Sequence, residues 1–143
     1  MILSDVEILS ALKAGMIKIV PFNKNCLNPA GYDLRVKNTV RIEAGVQELV
    51  ATIERIELDL SLVGFLNIRS SFAREGLIGS LALVDPGFRG QLTIALFNAS
   101  KQRVKIRKGE RFVQLTFAKL GRRAKRGYIG RYQNSEDVVE SLR

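Results

Sequence analysis

Four short stretches of the chain group side chains that could act on phosphate, sugar or water. Ile68-Arg-Ser-Ser-Phe-Ala-Arg74 sets two hydroxyls and two guanidiniums close together, at a predicted strand end and the start of a helical turn. Guanidinium matches phosphate oxygens with two parallel N–H donors, and amides at a helix start favour anions. The segment therefore reads as a phosphate grip; the plainer alternative is Ser70 or Ser71 as an N-cap with Arg74 in solvent. Leu83-Val-Asp-Pro-Gly-Phe-Arg-Gly90 places Pro86-Gly87 where a type II turn wants them, with Asp85 at the mouth of a hairpin. A carboxylate held there by rigid backbone could bind a sugar hydroxyl or orient water, although aspartate also opens many turns that have no function. Pro29-Ala-Gly-Tyr-Asp-Leu-Arg35 would let a backbone come close to a ligand, or would be only a turn into a strand capped by Asp33. The stretch Lys101 to Arg131 is basic, with Tyr128 interleaved and Tyr132 just beyond. It reads as a solvated basic surface, as a stacking platform for single-stranded nucleic acid, or as an arm that closes over a polyphosphate.

Composition removes much other chemistry. The 143 residues include no His and one Cys. That excludes imidazole base catalysis, Ser-His-Asp and Cys-His nucleophiles, zinc sites built on His or several Cys, and a disulfide framework within the chain. Zinc-dependent nucleobase deamination goes with them. Lys and Arg number 23 against 14 Asp and Glu, a formal net charge of +9, so a negatively charged partner is expected. No run reaches the roughly 18 apolar residues of a membrane helix. Met1 to Gly15 is interrupted by Asp5, Glu7 and Lys13, unlike a signal peptide. A cytoplasmic protein is expected, with Cys26 a reduced structural thiol.

The elements that must carry these groups are short. A hydrophobic fraction of 46% and a charged fraction of 26% fit one soluble globular domain spanning residues 1–143. Ser4 to Ala14 reads as a helix, with Ser4 and Glu7 as a capping box, Ile8, Leu9 and Leu12 on one face and Gly15 as stop. Residues 16–120 form a β core with strands predicted at Met16–Val20, Tyr32–Val36, Thr39–Ile42, Glu48–Leu60, Phe65–Ile68, Leu81–Val84, Gln91–Phe97, Arg103–Ile106 and Arg111–Phe117. Many short strands separated by turn residues suggest an all-β sandwich, jelly roll or barrel. Arg111–Phe117 has apolar residues on both faces, as expected for a strand covered on both sides. Residues 121–143 are a basic loop, Gly121–Arg126, and a C-terminal arm.

Taken in order, these segments resemble the trimeric dUTPase and dCTP deaminase superfamily over nearly the whole chain. The resemblance rests on Ile2-Leu-Ser-Asp5, Asn28-Pro-Ala-Gly-Tyr-Asp-Leu-Arg35, Arg69-Ser-Ser-Phe-Ala-Arg74, Val84-Asp-Pro-Gly-Phe-Arg-Gly90, Gly109–Phe117 and Tyr128-Ile-Gly-Arg-Tyr-Gln133, which are closer to the deaminase branch. It implies an all-β distorted jelly roll, a homotrimer with sites at subunit interfaces, and a deoxynucleoside triphosphate bound with Mg²⁺ on its phosphates. Carried over, Arg69, Ser70, Ser71 and Arg74 hold phosphates, and Asp85 meets the 3′-hydroxyl and orients water. Phe88 stacks on the sugar, and Thr93, Ile94 and Ala95 meet the base. Gln114 lies near the phosphates, and Tyr128, Arg131 and Gln133 belong to the covering arm.

One departure bears on the reaction. The deaminases of this family carry a proton-shuttling Glu ten residues beyond the Asp, where this chain has Ala95. Alanine cannot move a proton. The resemblance thus implies a dUTP diphosphatase acting on deoxyuridine triphosphate, catalysed by Asp85, Ser70 and Arg74, with no metal ligands from the protein itself. The alternatives are a dCTP deaminase, alone or bifunctional, and a non-enzymatic nucleotide or single-stranded nucleic-acid binder. The arm departs too, with Tyr132-Gln-Asn-Ser135 where the family often has Tyr-Gln-Gly-Gln.

Overall fold

The computed structural model describes residues 1–80 and 82–143. The predicted strand Leu81–Val84 thus begins outside the described residues, and Leu83–Val84 is its strand part. In chain order the elements are α1 (Asp5–Lys13), β1 (Ile17–Val20), a 3₁₀ turn (Lys24–Cys26), β2 (Leu27–Asn28), β3 (Gly31–Arg35), β4 (Val40–Ile42), β5 (Gln47–Leu58) and β6 (Leu62–Ile68). Then follow α2 (Ser70–Arg74), β7 (Leu77–Gly79), β8 (Leu83–Val84), β9 (Arg89–Asn98), β10 (Val104–Ile106) and β11 (Arg111–Lys119). All named strand pairs are antiparallel. One sheet runs β1-β5-β9-β7, a second β2-β3-β11-β6-β8, and β10-β4 forms a ribbon. The all-β expectation holds.

The capping box forms as read: the Glu7 amide donates to Ser4 Oγ at 3.4 Å and the Ser4 amide donates to Glu7 Oε2 at 2.9 Å. Hydrogen bonding to Ser4 holds the Glu7 carboxyl below its usual range. The buried face of α1 is Ile8 and Ala11, while Leu9 is exposed. At about 100° per residue Leu9 is rotated away from Ile8, and Ala11 occupies the seam instead.

One apolar cluster joins the sheets, with Ile19, Ile56, Ile94 and Leu96 from one and Tyr32, Leu34, Leu115 and Phe117 from the other. Burying such a side chain contributes about 1.5–3 kcal/mol, against about 0–1 kcal/mol for an exposed ion pair, so the cluster and not the charged surface holds the sheets together.

Two irregularities set the geometry near the site. The β5–β9 ladder shifts register between Ala51 and Arg55. There the Leu92 amide donates to the buried Thr52 hydroxyl at 3.0 Å, and that hydroxyl donates to the Glu54 carbonyl at 2.9 Å. A side chain thus replaces a lost rung, as buried backbone groups require. The buried Glu54 carboxylate accepts from the Arg35 amide at 2.9 Å and from Arg35 Nε at 2.7 Å, tying β3 to the bulge. The second shift lies between Arg111 and Val113 in the β11–β3 pair. It explains why Phe112 and Val113 are both buried, after which Leu115 and Phe117 alternate normally. Within this chain the bulge is enough to bury apolar residues of both faces at the start of the strand.

Candidate active site

Asp85 sits where strand chemistry and turn chemistry meet. β8 ends at Val84, and the Phe88 amide donates to the Asp85 carbonyl at 3.1 Å to close the turn. Gly87 has φ +79°, the value a type II turn demands at its third residue, so the expected Pro86-Gly87 turn forms. The Gly87 amide donates to the Leu58 carbonyl at 3.0 Å, and the Leu58 amide donates to the Phe88 carbonyl at 3.1 Å. The Asp85 turn is thereby fastened to the end of β5, with its carboxylate side exposed. Phe88 is buried beside it and meets Tyr128 edge-on, with ring centroids 5.7 Å apart. The arm reaches this point because two glycines meet: a Cβ on Gly87 would stand 2.7 Å from the Gly127 Cα. The Tyr128 amide then donates to the Pro86 carbonyl at 2.8 Å.

Beyond the turn lies a cavity of about 420 Å³, a size suited to a small-molecule ligand. Asp85, Phe88, Gln91, Thr93, Ala95 and Tyr128 line it, with Val139 and Glu140 from the C-terminal tail. Strand alternation decides the β9 contribution: Gln91, Thr93 and Ala95 share the outward face, while Ile94 turns into the core. Ile94, expected at the base, therefore offers only its backbone. Leu49 pairs with Ala95 across the ladder, and the Ser80 amide donates to the Ala95 carbonyl at 2.9 Å. The wall at Ala95 is small and apolar.

The segment expected to grip phosphate is built separately. The N-cap of α2 is Arg69, not a serine, and no side chain caps the helix; Ser70 and Ser71 open it and are exposed. Buried Phe72 anchors the turn, and Arg74 Nη1 lies 3.5 Å from Ser70 Oγ. Arg69 is fixed by its amide to the Phe112 carbonyl at 3.0 Å, by Nη1 to the Arg111 carbonyl at 3.2 Å, and by Nε to Asp33 at 3.2 Å. Gln114 is the register partner of Asp33, and its amide lies so close to Gly31 that a Cβ there would meet Nε2 at 2.9 Å. Among the described residues, none of Arg69, Ser70, Ser71, Arg74 and Gln114 lines the Asp85 cavity. The Arg69–Arg74 segment and the Asp85 cavity are thus separate features of this chain.

The arm differs from its expected role in detail. Gln133 was expected at the substrate, yet its Nε2 donates to the Gly87 and Tyr128 carbonyls at 2.9 and 3.1 Å and its Oε1 accepts from the Arg89 amide at 2.8 Å. It braces the turn. Arg131 is exposed and donates to the Leu142 carbonyl. Past Gln133 the tail runs beside β9. The Gln91 amide donates to the Ser135 carbonyl at 2.8 Å, the Asp137 amide to Gln91 Oε1 at 2.7 Å, and the Val139 amide to Thr93 Oγ1 at 3.0 Å. Asp137 also pairs with Lys37.

Sequence reasoning missed Gln91 and Glu140. Gln91 was reachable, since it shares the period-two face of Thr93 and Ala95; Glu140 had no local signal. Among the described residues no three His, Cys, Asp or Glu side chains gather to hold a metal, and no helix is long and apolar enough to cross a membrane. Burial pushes the Cys26 thiol up from its usual range, consistent with an unreactive structural role.

Comparison with known proteins places this geometry in context. The dCTP deaminase-like family pattern matches residues 39–120. The dCTP deaminase of Thermococcus kodakarensis is 45% identical, covering 89% of this chain and 92% of that protein. A probable deoxyuridine 5′-triphosphate nucleotidohydrolase of Sulfolobus islandicus rod-shaped virus 1 is 35% identical, covering 97% of each. The native EIAV dUTPase structure superposes with a TM-score of 0.65 at 21% identity, over 81% of this chain and 98% of that one.

Proposed function

We propose that this chain, which belongs to the dCTP deaminase-like family of the dUTPase and dCTP deaminase superfamily, hydrolyses dUTP to dUMP and pyrophosphate. The relatives' names agree on the coarser point, an enzyme of dUTP and dCTP metabolism. One observation carries the finer reading: Ala95 lines the cavity that Asp85 opens onto, so the core offers a carboxylate for phosphate chemistry and none at the strand position where the deaminases use one. Losing a positioned general acid–base group costs ~10²–10⁴-fold in rate.

In this reading Asp85 orients water toward the α-phosphorus and accepts its proton as the oxygen attacks. The new P–O bond forms as the bond to the β-phosphate oxygen breaks, and pyrophosphate departs. Ser70, Ser71, Arg69 and Arg74 stabilise the charge it carries away, a positioning and electrostatic contribution. Phe88 and Tyr128 wall the sugar, and the β9 backbone at Ile94 with Thr93 and Ala95 faces the base. With no metal cage among the described residues, Mg²⁺ would arrive on the substrate phosphates, where it neutralises charge.

The separation of grip and cavity supports a homotrimer in which the grip of one protomer completes the cavity of the next. Exposed apolar cross-strand pairs, Phe65 with Leu83 and Ile78 with Phe97, supply surface for such contacts.

A second reading, dCTP deamination, is favoured by the name of the Thermococcus relative and by Glu140, which brings another carboxylate to the cavity. Incubating the protein and Mg²⁺ with dUTP or with dCTP, then resolving nucleotides and ammonia, separates the two. Conversion of dUTP to dUMP with dCTP untouched is the expected result. Ammonia from dCTP, or dUTP recovered intact, would overturn the proposal.

A further inference from the structure

We infer that Asp33 is a positioning residue for the phosphate grip, and that it recruits Arg111 to that grip as a further cation. The inference rests on the reading of Arg69 as a phosphate contact and extends it to residues outside that reading.

Asp33 lies in the middle of β3, and its side chain is 4% exposed. One of its oxygens, Oδ2, faces two guanidiniums: Arg69 Nε at 3.2 Å and Arg111 Nη1 at 3.6 Å. A buried carboxylate is costly unless paired. Pairing alone, however, needs only one cation. Here two share one oxygen and leave a net positive charge at the cluster.

Both arginines reach the surface, with side chains 34% and 41% exposed. Backbone carbonyls fix their remaining freedom, since Arg69 Nη1 donates to the Arg111 carbonyl and Arg111 Nη1 donates to the Asn25 carbonyl at 3.0 Å. Arg69 is the N-cap of α2, so its backbone leads directly into Ser70 and Ser71. Planar guanidiniums held in a fixed orientation recognise a polyphosphate with less ordering cost than free ones. The buried carboxylate is what holds them.

Charge and positioning predict opposite signs, which makes the test sharp. Asp33→Asn removes a negative charge from beside an anion site. If charge alone mattered, binding would tighten. If Asp33 positions the guanidiniums, binding weakens by about tenfold, the value of a lost charge-assisted hydrogen bond. The probe is inorganic tripolyphosphate, titrated calorimetrically into the full-length protein at fixed ionic strength. It carries no sugar or base, so the result stands whether dUTP or dCTP is the substrate. The Asp33→Asn variant would also raise KM for dUTP more than it lowers kcat. Tripolyphosphate binding that is unchanged or tighter overturns the inference, as does a wild-type protein that fails to bind it. Should Asp33→Asn fail to fold, Arg111→Lys at its partly exposed position decides: it keeps the charge and loses the planar fork. Several-fold weaker binding is expected there, and unchanged affinity removes Arg111 from the grip.

Discussion

Asp85→Asn should separate folding from chemistry. The Asp85 side chain is exposed, and the turn it opens is closed by backbone: the Phe88 amide to its carbonyl, and the Gly87 amide to Leu58. Asparagine opens such turns equally well. A surface change of this kind moves stability by no more than about 0.5 kcal/mol, or about 1–2 °C in Tm. The carboxylate is nevertheless the group proposed to orient water. Removing a positioned base costs ~10²–10⁴-fold, which is about 3–5 kcal/mol of barrier. Pyrophosphate release from dUTP measures the rate, a thermal melt measures the fold, and affinity for a non-hydrolysable dUTP analogue measures binding. The expected pattern is a lost rate with melt and affinity near wild type. Turnover within about twofold of wild type would refute the role of Asp85, since no catalytic base contributes so little.

Ala95→Glu places a carboxylate on the outward face of β9 within the same cavity; weak ammonia release from dCTP is expected, and strong activity would mark that side chain as what separates the two reactions. Thr52→Val keeps the volume but strands the Leu92 amide and the Glu54 carbonyl, so a urea titration should show a loss of about 2–6 kcal/mol at roughly 1–3 kcal/mol per orphaned group. The Asp59 carboxyl is pulled from 3.8 down to about 2 by hydrogen bonds from Ser61 and Arg123. Because its folded value is depressed, its contribution is fully present above 3.8 and is lost as pH falls through about 2. An NMR titration should find that midpoint, and Arg123→Gln should move it upward.

What could be read from the chain was whatever depends on neighbours in sequence. The capping box at Ser4 and Glu7, the Pro86-Gly87 turn and most strand interiors are local patterns, and the structure repeats them. Strands β2 and β7 are two and three residues long, too short for a period to register. The bulges at Ala51–Arg55 and Arg111–Val113 escape for a different reason. Each is a mismatch between two strands, so nothing in either strand alone announces it. The candidate site divides along the same line. Asp85 was legible because turn chemistry fixes it, whereas Phe88 came only from the family resemblance. Ile94 was expected at the base, and strand alternation sends its side chain into the core, leaving its backbone on that edge. Asp33, in a segment read either as a ligand approach or as a capped turn, pairs with Arg69 and Arg111, both far away in sequence, and Glu140 joins the cavity because the tail hydrogen-bonds along β9.

The contact between Gly87 and Gly127 constrains how this enzyme can vary. A methyl group on either would fall within 3 Å of a neighbouring heavy atom, the Gly127 Cα in one case and Leu60 Cδ2 in the other. At Gly87, where the obstacle is backbone, even alanine would pry the start of the arm off the loop bearing Asp85, while at Gly127 the Leu60 side chain can give way. Sequence drift at Gly87 would alter the pitch at which residues 128–143 leave the β sheets, and with it the width of the cavity that the tail helps to line. Divergent homologues that need a wider mouth have a simple route to one: a single small side chain inserted as a wedge.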